Sequence, residues 1–254
     1  MRTTGMISCF LLCLSYLSQS QPLPSKVFTL NNSVSVSTRN GNTKKLFSGS
    51  GAILSLHEMY LVTLLKGKSL SYKADASERF FIIKNGPVKV TLNDNTAVLD
   101  RGSVMLVLPG DKIIIENTAE KAAGYYERDD KSIATPDRER GKKACISFMR
   151  NWNDMVFKPT DKGGVRQLFD RQTTMLNRFD IHVTQLNEGF KSHDPHTHKN
   201  EEIILMMEGN AEMQIGTDHQ KANAGDAVFL VSMVLHNLSN IGKIPCLYFA
   251  IQWN

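Results

Sequence analysis

The sequence predicts an all-β protein in which one domain is written twice, and three observations carry that expectation. Short apolar or alternating runs recur between Gly, Asn and Asp: FFIIKNGPVKVTL at 80–92, SVMLVLPGDKIIIEN at 103–117, IILMMEGNAEMQIG at 203–216 and DAVFLVSMVLHNLSN at 226–240. Many short strands at turn spacing argue for a sandwich or a closed barrel. The chain also repeats itself. Leu46, Phe47, Leu54, Leu64 and Gly67 recur at Leu168, Phe169, Leu176, Leu186 and Gly189, all shifted by 122, and Gly86 and Gly102 recur at Gly209 and Gly225, shifted by 123. Helical periodicity, finally, is confined to a turn or two near TPDRERGKK and GGVRQLF.

At 254 residues, with 41% hydrophobic and 22% charged content, the chain has room for two packed domains of ordinary size. Its 30 Lys and Arg stand against 25 Asp and Glu, a balance of +5, and the signs are interspersed. A nucleic-acid-binding face needs basic residues gathered on one surface, and none is visible here.

Read from the start, Arg2 precedes the apolar run MISCFLLCLSYL, which gives way to SQSQPLP. A basic start, about a dozen apolar residues and a small-residue cut site describe a secretory signal peptide. Residues 1–20 are therefore expected to be removed after Ser20, which makes the mature chain secreted or periplasmic with no membrane association. Cleavage removes Cys9 and Cys13 and leaves Cys145 and Cys246, whose apolar flanks mark them as core residues rather than a bridge.

The first domain is expected over 21–153, its barrel over roughly 30–118 with a closing strand at 143–153. The second is expected over 154–254, with its barrel over 165–254. Those ends are suggested by a shared sentence: 141–153 (GKKACISFMRNWN) and 242–254 (GKIPCLYFAIQWN) both fit G-K-x-x-C-x-x-F-x-x-x-W-N at a shift of only 101. The shorter shift leaves 22 extra residues in the first copy, and the polar, charged segment near 119–142 reads as a long surface loop holding them.

Chemistry concentrates in HDPHTHKNEEIILMMEG, which holds His193, His196, His198, Glu201 and Glu202, with His236 following. Residues two apart on a strand share a face, so His196 and His198 are expected to point together into the barrel, with Glu202 opening the next strand and His236 on a third. Imidazoles and a carboxylate converging in this way suit a first-row divalent ion (manganese, iron, zinc or nickel). Glu201 should face the other way, His193 is a rim residue or simply solvated, and Met206, Met213 and Phe229 read as core. Asn240 is expected to fix the turn near His236. No Ser-His-Asp order, phosphate loop or repeated CxxC competes with the metal.

These residues resemble the cupin superfamily. Its first motif is matched by Gly189, His196-Thr197-His198, Glu202 and Gly209, and its second by Gly225, His236 and Asn240, although Val231-Ser232-Met233 stands where the family carries P-x-G. The resemblance implies two cupin-type double-stranded β-helix (jelly-roll) barrels in tandem and one metal held by His196, His198, Glu202 and His236. At the corresponding positions the first copy has Lys73, Asp75, Arg79 and Ile113, which cannot form that ligand set, so a barrel without metal is expected there. The family further implies a metal-dependent enzyme, isomerase, dioxygenase or aminohydrolase-like, acting on a small polar or carbohydrate-like metabolite. The alternative is a non-catalytic sugar-binding or storage protein with a structural metal. Homo-oligomer formation is left open.

Overall fold

The computed structural model describes residues 20–144 and 146–254. The expected leader, with Cys9 and Cys13, falls outside the described residues, and so does Cys145; Cys246 is a free, buried thiol. Among the described residues no helix is long and apolar enough to cross a membrane.

The chain opens with β1 (Lys26–Phe28), β2 (Ser35–Thr38), β3 (Gly41–Gly49), β4 (Leu54–Leu64), β5 (Ser69–Tyr72) and β6 (Glu78–Asn85). It continues through β7 (Val88–Leu92), β8 (Asn95–Leu99), β9 (Val104–Val107), β10 (Ile113–Asn117) and β11 (Ala123–Ser132) to the short helix α1 (Arg138–Ala144). Then follow β12 (Phe148–Arg150), β13 (Lys158–Thr160), β14 (Gly163–Arg171), β15 (Phe179–Leu186) and β16 (Glu201–Glu208). The last five are β17 (Asn210–Ile215), β18 (Asp218–Asn223), β19 (Ala227–Leu230), β20 (His236–Asn240) and β21 (Cys246–Trp253).

These strands form two barrels of matching topology. A seven-stranded sheet, β12-β9-β6-β11-β4-β3-β2, packs on the four-stranded sheet β5-β10-β7-β8; β1-β19-β16-β21-β15-β14-β13 packs on β18-β17-β20. Alternation decides what each face buries. On β16, Ile204 and Met206 turn inward to Met213, Leu238 and Tyr248, while Ile203, Leu205 and Met207 turn outward to the other barrel. The two seven-stranded sheets thus lie back to back, with Phe80, Ile82 and Leu106 of one packed into a core with Ile181, Phe249 and Trp253 of the other. Phe229 belongs to this shared layer, whereas Met206 and Met213 fill the second barrel. Burying each such side chain contributes roughly 1.5–3 kcal/mol.

Two expectations about the first copy are corrected here. The segment near 119–142 is no surface loop: β11 crosses it as a central strand, paired with both β4 and β6, and α1 follows. Its polarity misleads because Glu127, Arg128 and Asp130 are buried but charge-paired, Arg128 to Asp130 and Glu127 to Arg79. The shared sentence at 141–153 and 242–254 is likewise not a structural equivalence. The strand that corresponds to β21 is β11, at the same shift of 123 as Gly86 to Gly209. The 143–153 stretch instead holds the end of α1 and the three-residue edge strand β12. With β11 in its place the two copies keep step throughout and no 22-residue insertion remains.

The barrels also exchange their outermost strands. β1 precedes the first barrel yet pairs with β19 of the second, and β12 precedes the second yet pairs with β9 of the first. Their starts differ by 122, so this is the same element used reciprocally. A domain boundary after residue 153 therefore keeps β12 with the barrel it completes but assigns β1 to the barrel it does not.

Candidate metal centre

The residues singled out by spacing come together at one end of the second barrel, though by a different local route. His196 and His198 lie in the loop between β15 and β16 rather than on one face of a strand. His196 is fixed instead by an isolated antiparallel bridge, exchanging backbone hydrogen bonds with His236 on β20 (His196 N to His236 O 3.2 Å, His236 N to His196 O 3.0 Å). His198 is held by Met233, whose N–H donates to its carbonyl at 2.8 Å. Met233 stands in the left-handed region (φ 64°), so the turn that departs from P-x-G still closes over the histidines.

Nitrogens of His196, His198 and His236 all lie within 4.8 Å of one another. Glu202, buried on β16, places Oε2 at 3.2 Å from both His198 Nε2 and His236 Nε2. His198 Nδ1 faces the Asn200 carbonyl at 3.0 Å and His236 Nδ1 faces the Val234 carbonyl at 2.9 Å. A neutral imidazole that donates from Nδ1 keeps its Nε2 lone pair free. His236 Nε2, close to Glu202 but out of hydrogen-bond alignment, and His196 Nδ1 are buried without a hydrogen-bond partner. Three imidazoles and one carboxylate with such orphaned nitrogens make a donor set that fits a divalent first-row transition ion.

Electrostatics favours the ligating states of Glu202 and His196, while His198 is drawn toward its charged form by Glu202. Burial alone would raise the Glu202 carboxyl, but the hydrogen bond from His198 and the nearby charge of His236 and His198 hold it down at about 2. Burial, reinforced by neighbouring histidines, lowers His196, whereas the hydrogen bond to Glu202 raises His198. Glu202 is held from behind: Gln252 Nε2 donates to its Oε1 at 3.2 Å, Asn200 Nδ2 donates to Gln252 Oε1 at 3.1 Å, and Asn254 Nδ2 donates to Asn200 Oδ1 at 2.6 Å. Gln252 carries no motif, so spacing could not single it out; only the pairing of Glu202 with Gln252 across β16 and β21 brings it in.

The cluster opens into a cavity of about 540 Å³ lined in part by Lys162, His182, His193, Thr184 and Tyr248. His193 lies on its wall, edge-on to His196 with ring centroids 4.0 Å apart. Glu201 points the other way, as alternation requires, accepting from Trp253 Nε1 at 3.2 Å and from the Ala52 N–H at 3.0 Å across the barrel junction. Asn240 ties its turn together, donating to the carbonyls of Leu186 and Ile244.

In the first barrel the corresponding space is filled by an ion-pair cluster. Arg79, where Glu202 would stand, donates to Asp75 at 3.0 and 2.7 Å, lies 3.2 Å from Asp129 and 3.7 Å from Glu127. Ile113, in place of His236, is fully buried core, and Lys73 is exposed. The guanidinium supplies the positive charge that a metal would supply.

Fold and site together define an all-β protein of two cupin-type barrels, and the comparisons agree. Residues 182–252 match the Cupin domain family, so the second barrel is a cupin domain. No curated protein matches the chain significantly. Among solved structures the chain is similar to the Lactobacillus farciminis oxalate decarboxylase formate complex, with TM-score 0.72 and 12% identity over 91% of this chain and 87% of that one. It is also similar to protein Ylba from E. coli (TM-score 0.66, 13% identity, 90% of each chain) and to AerE from Microcystis aeruginosa (TM-score 0.67, 11% identity, 87% of this chain and 97% of that one). At these identities the likeness is one of fold.

Proposed function

We propose that the chain is an exported metalloenzyme that acts on a small polar or carbohydrate-like metabolite in the second barrel. The observation that carries this reading is the convergence of three histidines and one ionised glutamate on a cavity with further ionisable groups in its wall. His196, His198, Glu202 and His236 would hold one divalent ion of the manganese, iron, zinc or nickel kind. Once bound, that ion would polarise a carbonyl or hydroxyl, or lower the pKa of a water. The chain's own side chains do the rest. Lys162 Nζ donates to the Ser192 carbonyl at 3.1 Å, which sets a cation beside the cavity for an oxygen-rich or anionic substrate. His182 and His193 stand in the wall as proton donors or acceptors. An apolar wall would instead favour a binding protein.

The experiment is metal analysis of the purified protein followed by a screen of small hydroxy acids, sugars and ureido compounds with and without chelator. About one transition ion per chain is expected, together with chelator-sensitive turnover. A sugar retained without turnover would favour the binding or storage reading. A chain that binds no transition ion would overturn both.

A further inference from the structure

On the opposite face of the same sheet lies a second cavity, of about 400 Å³, between the second barrel and the segment that enters it. Strand alternation separates the two: Thr184 and Tyr248 face the metal cavity, while Val183, Leu247 and Phe249 face this one. Its head is Arg166 on β14, whose guanidinium lies over the Trp152 ring at 4.5 Å and the Phe157 ring at 4.7 Å from their centroids. Both rings are seated on glycines that leave no room for a methyl group. A Cβ on Gly102 would meet Trp152 at 2.4 Å, and one on Gly164 would meet Phe157 at 2.1 Å. The clamp is therefore preformed.

What the clamp lacks is an anion. Among the described residues no carboxylate comes within 4.0 Å of Arg166, and its buried Nε and Nη1 have no hydrogen-bond partner. The acid at the cavity edge, Glu208, is paired with Arg101. Burial alone lowers the Arg166 guanidinium, with no acid contributing. Unpaired buried donors are costly and Arg is suited to bidentate carboxylate recognition, whereas stacking on two rings offsets only part of the lost hydration. The first copy does not repeat this constellation: 122 residues earlier, Trp152, Phe157 and Arg166 correspond to Leu30, Ser35 and Lys44.

We propose that this inter-barrel cavity binds a small organic acid with an apolar body, its carboxylate on Arg166 and its body against Leu247 and Phe249. The site is independent of the metal centre and stands whether or not that centre is catalytic.

Isothermal titration of the full chain with 1-naphthoate tests it, with 1-naphthalenemethanol as the uncharged control. One site per chain is expected, with affinity falling about tenfold or more for the alcohol and for Arg166→Gln, and unchanged in His198→Ala. Phe157→Ala, which removes a partly exposed ring, should weaken binding in the same direction and keeps the test valid if Arg166→Gln does not fold. Absence of binding to the wild type at millimolar concentration overturns the proposal. So does equal affinity for acid and alcohol, or binding that His198→Ala abolishes while Phe157→Ala and any folded Arg166→Gln retain it.

Discussion

Replacing Glu78 by Gln should stabilise this protein at alkaline pH and leave it nearly unchanged in acid. Glu78 opens β6 inside the layer between the barrels, 3% exposed, with Oε2 accepting from the Met175 N–H at 3.3 Å. Burial raises its carboxyl to about 7, against a hydrogen bond from Thr173 that works the other way. An acid whose folded pKa is raised binds its proton more tightly when folded. Its contribution is full below the unfolded value of about 4.5 and is lost as pH climbs to about 7. The interval is about 2.5 pH units, or on the order of 3 kcal/mol at 1.36 kcal/mol per unit. Glutamine keeps an acceptor for Met175 and does not ionise. For a chain of this size, with ~2–4 °C per kcal/mol, Glu78→Gln should melt roughly 5–10 °C higher than wild type at pH 8 and within ~2 °C of it at pH 4.5. Calorimetry or guanidinium unfolding at the two pH values reads the difference directly. Equal shifts at both pH values, in either direction, would show that packing and not the buried charge sets the effect.

Four further outcomes follow from the metal centre and the leader. His198→Ala should lose most bound metal by elemental analysis, whereas Asp75→Ala should lose none; about two ions per chain in the wild type would refute the division between the barrels. Acid release of metal, followed by chelator dye, should track imidazole protonation from about pH 6–7 downward, because Glu202 stays ionised to about 2; release only below about pH 3 would place the control on the carboxylate. Gln252→Ala frees Glu202 Oε1 and should weaken metal binding about 10–100-fold in a chelator competition, a change that a purely structural glutamine would not cause. N-terminal sequencing of the mature protein should begin at or near Gln21, and a mature chain starting at Met1 would exclude export by the proposed leader.

Much of this architecture is legible in the sequence wherever hydrophobic alternation survives. The runs over 80–92 and 203–216 announce β7 and β17 by their alternation, and β6 and β16 as short continuous apolar runs buried on both faces. β11 is illegible for the opposite reason: its interior positions include Glu127, Arg128 and Asp130, neutralised by one another and by Arg79 and His57 from earlier strands, and local hydropathy reads them as solvated. The exchanged strands are only three residues long, too short for any period to register. The convergence of His196, His198, Glu202 and His236 was legible because side-chain chemistry and spacing carry it directly. Its route was not, since His196 and His198 are placed by a backbone bridge and a loop contact rather than by strand alternation. Gln252 and Arg166 carry no motif; each gains meaning only from the neighbour that the fold brings to it.

The reciprocal exchange of β1 and β12 imposes an order on assembly. β1 is made first, but its register partner for Lys26 is Phe229, some two hundred residues downstream. At synthesis rates of ~5–20 residues per second, that strand waits on the order of 10–40 s with its edge unsatisfied. The first barrel meanwhile lacks only β12, which arrives soon after β11. Nascent chains halted between the barrels should therefore present a nearly closed first barrel trailing an unpaired N-terminal strand. Such a strand can dock on the β19 edge of another molecule's second barrel, so high expression would turn an intramolecular exchange into domain-swapped chains of molecules.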